Sequence, residues 1–394
     1  MRKASLAAAC GLLIACQGPP AVAPSASPTS TTPAIASPAT TPTATPTLAP
    51  TPSPTAQPVA LAGIRATPAG TLPESFRYVA LDRPWAEGFR TLLWLVDLDT
   101  RRAPAVVAQW DGPASPVGEH SISSDGKVVL ISAKGTRSRV ALYLLRPETG
   151  TTTVLFEEPS VIVISPRISP DGLRYAFTRH PDGGAYDDGI WAGLTAGGEL
   201  KRIVDQPRLT NVPRMSLAWS ADSVWVAFSS VRERSDVFLA HREGGPQIEV
   251  GAGDRVSWRR NPPELLVAAN GPPTSRIYTF DLATRKQAEV AKVDKLMYPL
   301  VQWHPTLDRF AYVESEGAGR EASGGIWVRG ADGTGASSLD LGRAVFSPQW
   351  SRDGTALTAL GGGDDVVMPV IELFSGRRVA VLCRRGGTPP ADCT

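Results

Sequence analysis

Hydrophobic positions in this chain come in short runs. Val128-Val129-Leu130-Ile131, Ala141-Leu142-Tyr143-Leu144 and Thr153-Val154-Leu155-Phe156 are each bounded by clusters of Gly, Pro, Asp and Ser. Short apolar runs rich in β-branched and aromatic residues and closed by turn formers predict β-strands. After residue 75 no amphipathic helical period persists over ten or more residues, and no strand–helix alternation suggests a parallel sheet.

One phrase organises these runs. Its cleanest copy is Ile168-Ser169-Pro170-Asp171-Gly172-Leu173-Arg174-Tyr175-Ala176-Phe177, and looser copies start at Ile122, Trp219, Trp258, Trp303 and Trp350. Within it an apolar residue ends a strand and Ser-Pro-Asp-Gly makes a tight turn. Pro presets φ, Asp bonds nearby backbone and Gly accepts positive φ without steric cost. A second strand follows, then a third (Ile190-Trp191-Ala192, Val237-Phe238-Leu239, Ile277-Tyr278-Thr279-Phe280, Ile326-Trp327-Val328) and a fourth after a polar turn. Repeats about 40–50 residues long built from short strands predict propeller blades. A four-stranded meander has two apolar faces, and stacking blades around an axis buries both. The copies at 219, 258 and 303 lose the Gly or the Asp, so their turns are expected to differ or to be longer.

The Ser-Pro-Asp-Gly turn, followed by a basic residue and then aliphatic-Ala-Phe, resembles the WD40-like repeat of TolB-type propellers. The resemblance covers residues 120–382 well and 76–110 in part, and implies an all-β propeller of four-stranded antiparallel blades. Six full units follow a partial one with strands at 77–81, 92–98 and 105–110 but no recognisable first strand. Seven blades are favoured, and six with an irregular N-terminal addition is the alternative. The missing strand is expected from 59–66 or from the C-terminal end.

The N-terminus reads differently. Arg2 and Lys3 precede a short apolar stretch, too short to span a bilayer, and residues 1–15 read as an export signal. Leu13-Ile14-Ala15-Cys16 resembles the bacterial lipobox. That implies cleavage before Cys16, lipidation of Cys16, and anchoring to the cell membrane or outer membrane, facing the periplasm or exterior. Residues 16–72 then form a segment of Pro, Thr, Ser and Ala, almost without charge, that cannot bury a core and reads as an extended stalk. The propeller is expected over 73–383 and a tail over 384–394. Of four cysteines, Cys10 leaves with the signal and Cys16 carries lipid. Cys383 and Cys393, in an oxidising exterior, are expected to form a disulfide that pins the tail.

Composition narrows the partners. Lys plus Arg number 40 against 38 Asp plus Glu, so nothing drives general binding to nucleic acid. The four histidines, His120, His180, His241 and His304, fall in different units and form no metal-binding spacing. His304 replaces the repeat's Ser and reads as structural. No Gly-x-Ser-x-Gly elbow and no phosphate-cradling loop occurs. No metal or cofactor is expected, and the Trp residues read as blade packing.

Binding residues concentrate on loops carried by a rigid scaffold. The loops between second and third strands share one face with the blade-to-blade connections. The candidate binding face there comprises Asp82, Arg83, Trp85 and Glu87; His180, Asp182, Tyr186, Asp187 and Asp188; Arg214; Glu316 and Arg320; and Asp364 and Asp365. The leading expectation is a monomeric, non-catalytic binding or scaffolding lipoprotein with a protein or envelope-polymer partner. The alternative is a propeller hydrolase or lyase whose carboxylates meet in the central channel.

Overall fold

The computed structural model describes residues 64–384, except 74–75, 86–87, 98–104, 112–119, 134–139, 182–188, 206–215, 232–234, 270, 272–273, 294–299, 317–322, 341–344, 362–364 and 373–377. These residues form seven four-stranded antiparallel sheets, with no helix among them. Blade 2 sets the pattern, with His120–Ile122, Val129–Ala133, Ala141–Arg146 and Thr151–Phe156 paired in chain order. Blades 3 to 7 repeat it, beginning at Val161, Leu217, Arg255, Val301 and Val345.

Blade 1 departs from the pattern. Phe76–Trp85, Gly88–Asp97 and Ala105–Asp111 pair in order, and Phe76-Arg77-Tyr78 corresponds to the second-strand sequence Leu173-Arg174-Tyr175. The fourth strand of the sheet, Ile64–Ala66, lies within the stretch expected to be stalk. It pairs with Ala105–Asp111 at the outer edge, Ile64 opposite Trp110. Two backbone bonds extend this path, Thr67 N–H to Val107 O at 2.9 Å and Ala69 N–H to Pro147 O at 2.8 Å, the second reaching blade 2. The N-terminal segment thus adds a strand at the outer edge and does not supply the missing first strand expected from it. Among the described residues no strand pairs with the inner edge of Phe76–Trp85.

Core residues lie between consecutive sheets. Tyr78, Leu93 and Val107 of blade 1 meet Val129, Ile131 and Tyr143 of blade 2. Phe177 lies between blades 2 and 3, Phe228 between 3 and 4, and Phe310 between 5 and 6, all fully buried. Burying one such side chain contributes about 1.5–3 kcal/mol. Alternate residues of each central strand face opposite neighbours: Leu130 packs toward blade 3 while Val129 and Ile131 pack toward blade 1.

All six turns of the repeat have one length. In each, the N–H of the residue after the apolar strand end donates to the carbonyl five residues on: Ser123 to Val128, Ser169 to Arg174, Ser220 to Trp225, Arg259 to Glu264, His304 to Arg309 and Ser351 to Ala356. The expectation of longer turns at 219, 258 and 303 is therefore corrected, while that of different turns holds at 258 and 303, which lack the inner bond that Gly172 N–H makes to Ser169 O. At 219 Ser223 takes the glycine's place with φ of 60°, and its N–H bonds Ser220 O at 2.9 Å as Gly172 N–H bonds Ser169 O. At 303 the His304 ring replaces the Ser-Asp pair, Nδ1 accepting from Thr306 N–H at 3.1 Å and Leu307 N–H at 2.8 Å.

Candidate functional site

The first strands meet at the hub, and their three-residue endings build it. The strand-end residue turns into a blade interface and the residue before it bonds the next blade. Trp219 Nε1–H donates to Arg167 O and Trp258 Nε1–H to Ala218 O, both at 3.1 Å, and Trp350 Nε1–H donates to Gln302 O at 3.3 Å. Backbone N–H groups reinforce this ladder: Ile168 to Ser121 Oγ, Trp303 to Ser257 Oγ and Trp350 to Gln302 Oε1, each at 3.0 Å. Trp303 breaks it. Its indole N–H is buried and has no hydrogen-bond partner.

Around the turn end of the hub lies a cavity of about 250 Å³. Its wall comes from four blades: Ile122, Ser123, Ser124 and Gly126 of blade 2, Ser257, Trp258 and Arg260 of blade 5, Gln302–Pro305 of blade 6, and Gln349–Arg352 of blade 7. Phe76 completes it from blade 1, at the vacant first-strand position. Blade 7 closes onto blade 2 here, Arg352 Nη1 donating to Asp125 O at 3.4 Å.

The polar groups of this wall divide into two sets. The turn residues are satisfied by their own loops. Ser123 Oγ–H donates to Asp125 at 2.6 Å and accepts from Val128 N–H at 3.1 Å, and Ser351 does the same with Asp353 at 2.6 Å and Ala356 N–H at 2.9 Å. Burial alone would raise both aspartates. The serine hydroxyls and the N–H groups of Lys127 and Thr355 outweigh it and hold both carboxyls below the usual carboxylate range. His304 is also committed: with Nδ1 accepting twice, Nε2–H donates to Gly354 O at 2.9 Å. Burial, the largest influence, lowers its pKa and keeps the ring neutral.

The second set is open. Gln302 spends its Oε1 on Trp350 N–H, which leaves its amide N–H₂ as a donor. Arg260 and Arg352 are exposed and make no ion pair among the described residues, whereas neighbouring Arg259 is held by Glu264 and Asp308; Arg352 spends only Nη1, on Asp125 O, and its charge also helps to hold the Asp125 carboxyl down. No Asp or Glu lines the cavity.

The candidate face expected from sequence lies at the opposite ends of the blades, because each second strand runs from the turn to the hairpin. Asp82, Arg83 and Trp85 belong to a strand there, with Trp85 opposite Gly88. The stretch expected as a loop from Asp82 to Phe89 is instead mostly hairpin. His180 ends a strand of blade 3, 8% exposed, with Nδ1 buried and unpartnered. Glu316 is paired opposite Ser323, and Asp365 opens a strand of blade 7 opposite Arg384. Glu87, Asp182, Tyr186, Asp187, Asp188, Arg214, Arg320 and Asp364 lie outside the described residues, as do Cys16 and Cys393. Cys383 lies in the last strand, Arg378–Arg384. Among the described residues no group of three or more His, Cys, Asp or Glu is placed to hold a metal ion.

Sequence reasoning passed over the cavity. The usable signal was the residue before each strand end: Ser121, Arg167, Ser257, Gln302 and Gln349 are polar in an apolar context, with Ala218 the exception.

Seven four-stranded antiparallel sheets, six of them joined at their first strands by turns of one length, define a β-propeller. Among solved structures, a prolyl endopeptidase is similar with a TM-score of 0.58 and 11% identity over 84% of this chain and 51% of that one. Hydrazine synthase of Kuenenia stuttgartiensis is similar with a TM-score of 0.50 and 12% identity over 64% and 75%. TolB from Acinetobacter baumannii is similar with a TM-score of 0.46 and 10% identity over 79% and 80%. At these identities the likeness is one of fold. No protein-family model and no curated protein matches the chain.

Proposed function

We propose that this chain is a lipid-anchored, extracytoplasmic binding protein, tethered through Cys16, whose propeller holds a protein or envelope-polymer partner without acting on it chemically. The cavity at the turn end of the hub is its primary contact site. The observation that carries this reading is the division of polar groups there. The serines and aspartates are spent on their own turns, His304 on its own turn and on Gly354 O of the next blade, and the open groups are amides and guanidiniums. Such groups bind and orient, whereas a general base at neutral pH would need a carboxylate or imidazole free to take a proton. The hairpin face is a second reading. It is favoured by the hairpins that carry Trp85 and Glu316 outward as paired strands and by the unpartnered Nδ1 of His180.

Capture of envelope material by the full-length protein separates the two faces. The double variant Arg260→Ala/Arg352→Ala is expected to lose most of the captured partner, and Trp85→Ala/Tyr186→Ala/Asp187→Ala to keep it. The reverse pattern assigns function to the hairpin face. A hydrolytic or lyase activity toward envelope polymers that survives neither variant would refute the non-catalytic reading.

A further inference from the structure

The open groups of the cavity share one chemical character. Gln302 keeps a free amide N–H₂. Arg260 and Arg352 stand on the turns of blades 5 and 7, either side of blade 6. Trp303 lines the same space, but its indole N–H is buried and finds no acceptor among the described residues, so it offers the cavity no donor. Every open charged group is a cation. The aspartates of the nearby turns, Asp125 and Asp353, do not line the space and are held by their own serines.

From this we infer that the cavity binds the carboxylate of an acidic ligand, held between Arg260 and Arg352 with the Gln302 amide as a further donor. The inference rests on the reading of the cavity as the contact site. Planar guanidinium and amide groups match a planar carboxylate, and Arg can meet it through two parallel bonds. A phosphate is less well served, because backbone N–H groups that could cradle it, those of Gly126 and Gly354, already donate to Ser123 O and Ser351 O. Trp303 and Trp350 are 4% and 6% exposed, so their ring faces belong to the blade interfaces, and only the half-buried Trp258 keeps part of its ring at the cavity.

Titration of the full-length protein, followed by tryptophan fluorescence and calorimetry, tests the assignment with three probes: citrate, an oligoglutamate peptide and inorganic phosphate. Binding of citrate, or of the peptide alone, supports it, and which of them binds tells a free organic acid from an acidic protein segment. Arg260→Ala and Arg352→Ala should each weaken that binding roughly tenfold or more. The inference is overturned if neither carboxylate probe binds, if phosphate binds as tightly as they do, or if both arginine variants bind unchanged. Should Arg260→Ala/Arg352→Ala abolish partner capture while neither carboxylate probe binds, the ligand class is wrong and the contact site stands.

Discussion

Phe76 and Gly126 interlock. The glycine has φ of 72°, and a Cβ built on it would overlap the Phe76 ring, which stands where blade 1 lacks a first strand. Seven sheets thereby share a hub with six first strands, and blade 7 reaches blade 2 through Arg352, 227 residues from Asp125.

Gly126→Ala and Gly70→Ala separate the two costs of replacing such a glycine. Both positions have positive φ, and Gly70 has open space around it. Gly70→Ala should lose only the left-handed penalty, about 1–2 kcal/mol. Gly126→Ala should lose a further 1–3 kcal/mol or so through overpacking against Phe76. Urea midpoints of the two variants check the difference.

The serines of the turn end are not equivalent. Ser169 is fully buried, donates to Asp171 at 2.5 Å and accepts from Arg174 N–H at 2.9 Å. Ser169→Ala strands these groups and should cost about 1–3 kcal/mol. Ser124 is exposed, and Ser124→Ala should stay within about 0.5 kcal/mol of wild type. Equal losses in thermal unfolding would show that the turn is not held by its serine.

Trp350 and Trp303 should respond differently to phenylalanine. Trp350→Phe removes the bond to Gln302 O, whereas Trp303→Phe removes a donor that has no acceptor. The packing loss is similar, so Trp303→Phe should be the milder change by about 1 kcal/mol. Paired denaturation curves decide it.

Acid should weaken the fold in two stages. The folded-state pKa of His304 lies below its ordinary 6.5, so below that pH the unfolded chain takes up more protons. The stability it represents is present above pH 6.5 and is lost as pH falls from there through the folded-state value. Asp125 and Asp353, depressed from 3.8, add a second loss only below about pH 4. A thermal midpoint that falls between pH 7 and 5 in wild type, and holds steady there in His304→Ser, would bear this out. An unchanged slope in the variant would refute it.

The repeat was legible because its bonds are local. Ser169 to Asp171 spans two residues and Ser169 N–H to Arg174 O spans five, so the turn is written wherever the chain makes it. The irregular copies misled as to length because one turn length can be reached by different chemistry. Ser223 adopts the glycine's φ, and one nitrogen of His304 does the work of an aspartate oxygen. The cavity was illegible for the opposite reason. Ser257, Gln302 and Arg352 carry no shared motif, and only ring closure brings them together. Blade 1 was half legible: its three long strands follow the pattern, but nothing in Ile64-Arg65-Ala66 says which edge it will join.

The placement of Ile64–Ala66 also has a mechanical meaning. Any pull arriving along the N-terminal segment falls first on three residues at the periphery of blade 1, far from the first strands that hold the ring together. A strand so short, held by few backbone bonds, peels away under modest load. It acts as a fuse: force applied to the chain ahead of Ile64 would open this edge before it reached the six strands at the centre, and the hub would keep its shape.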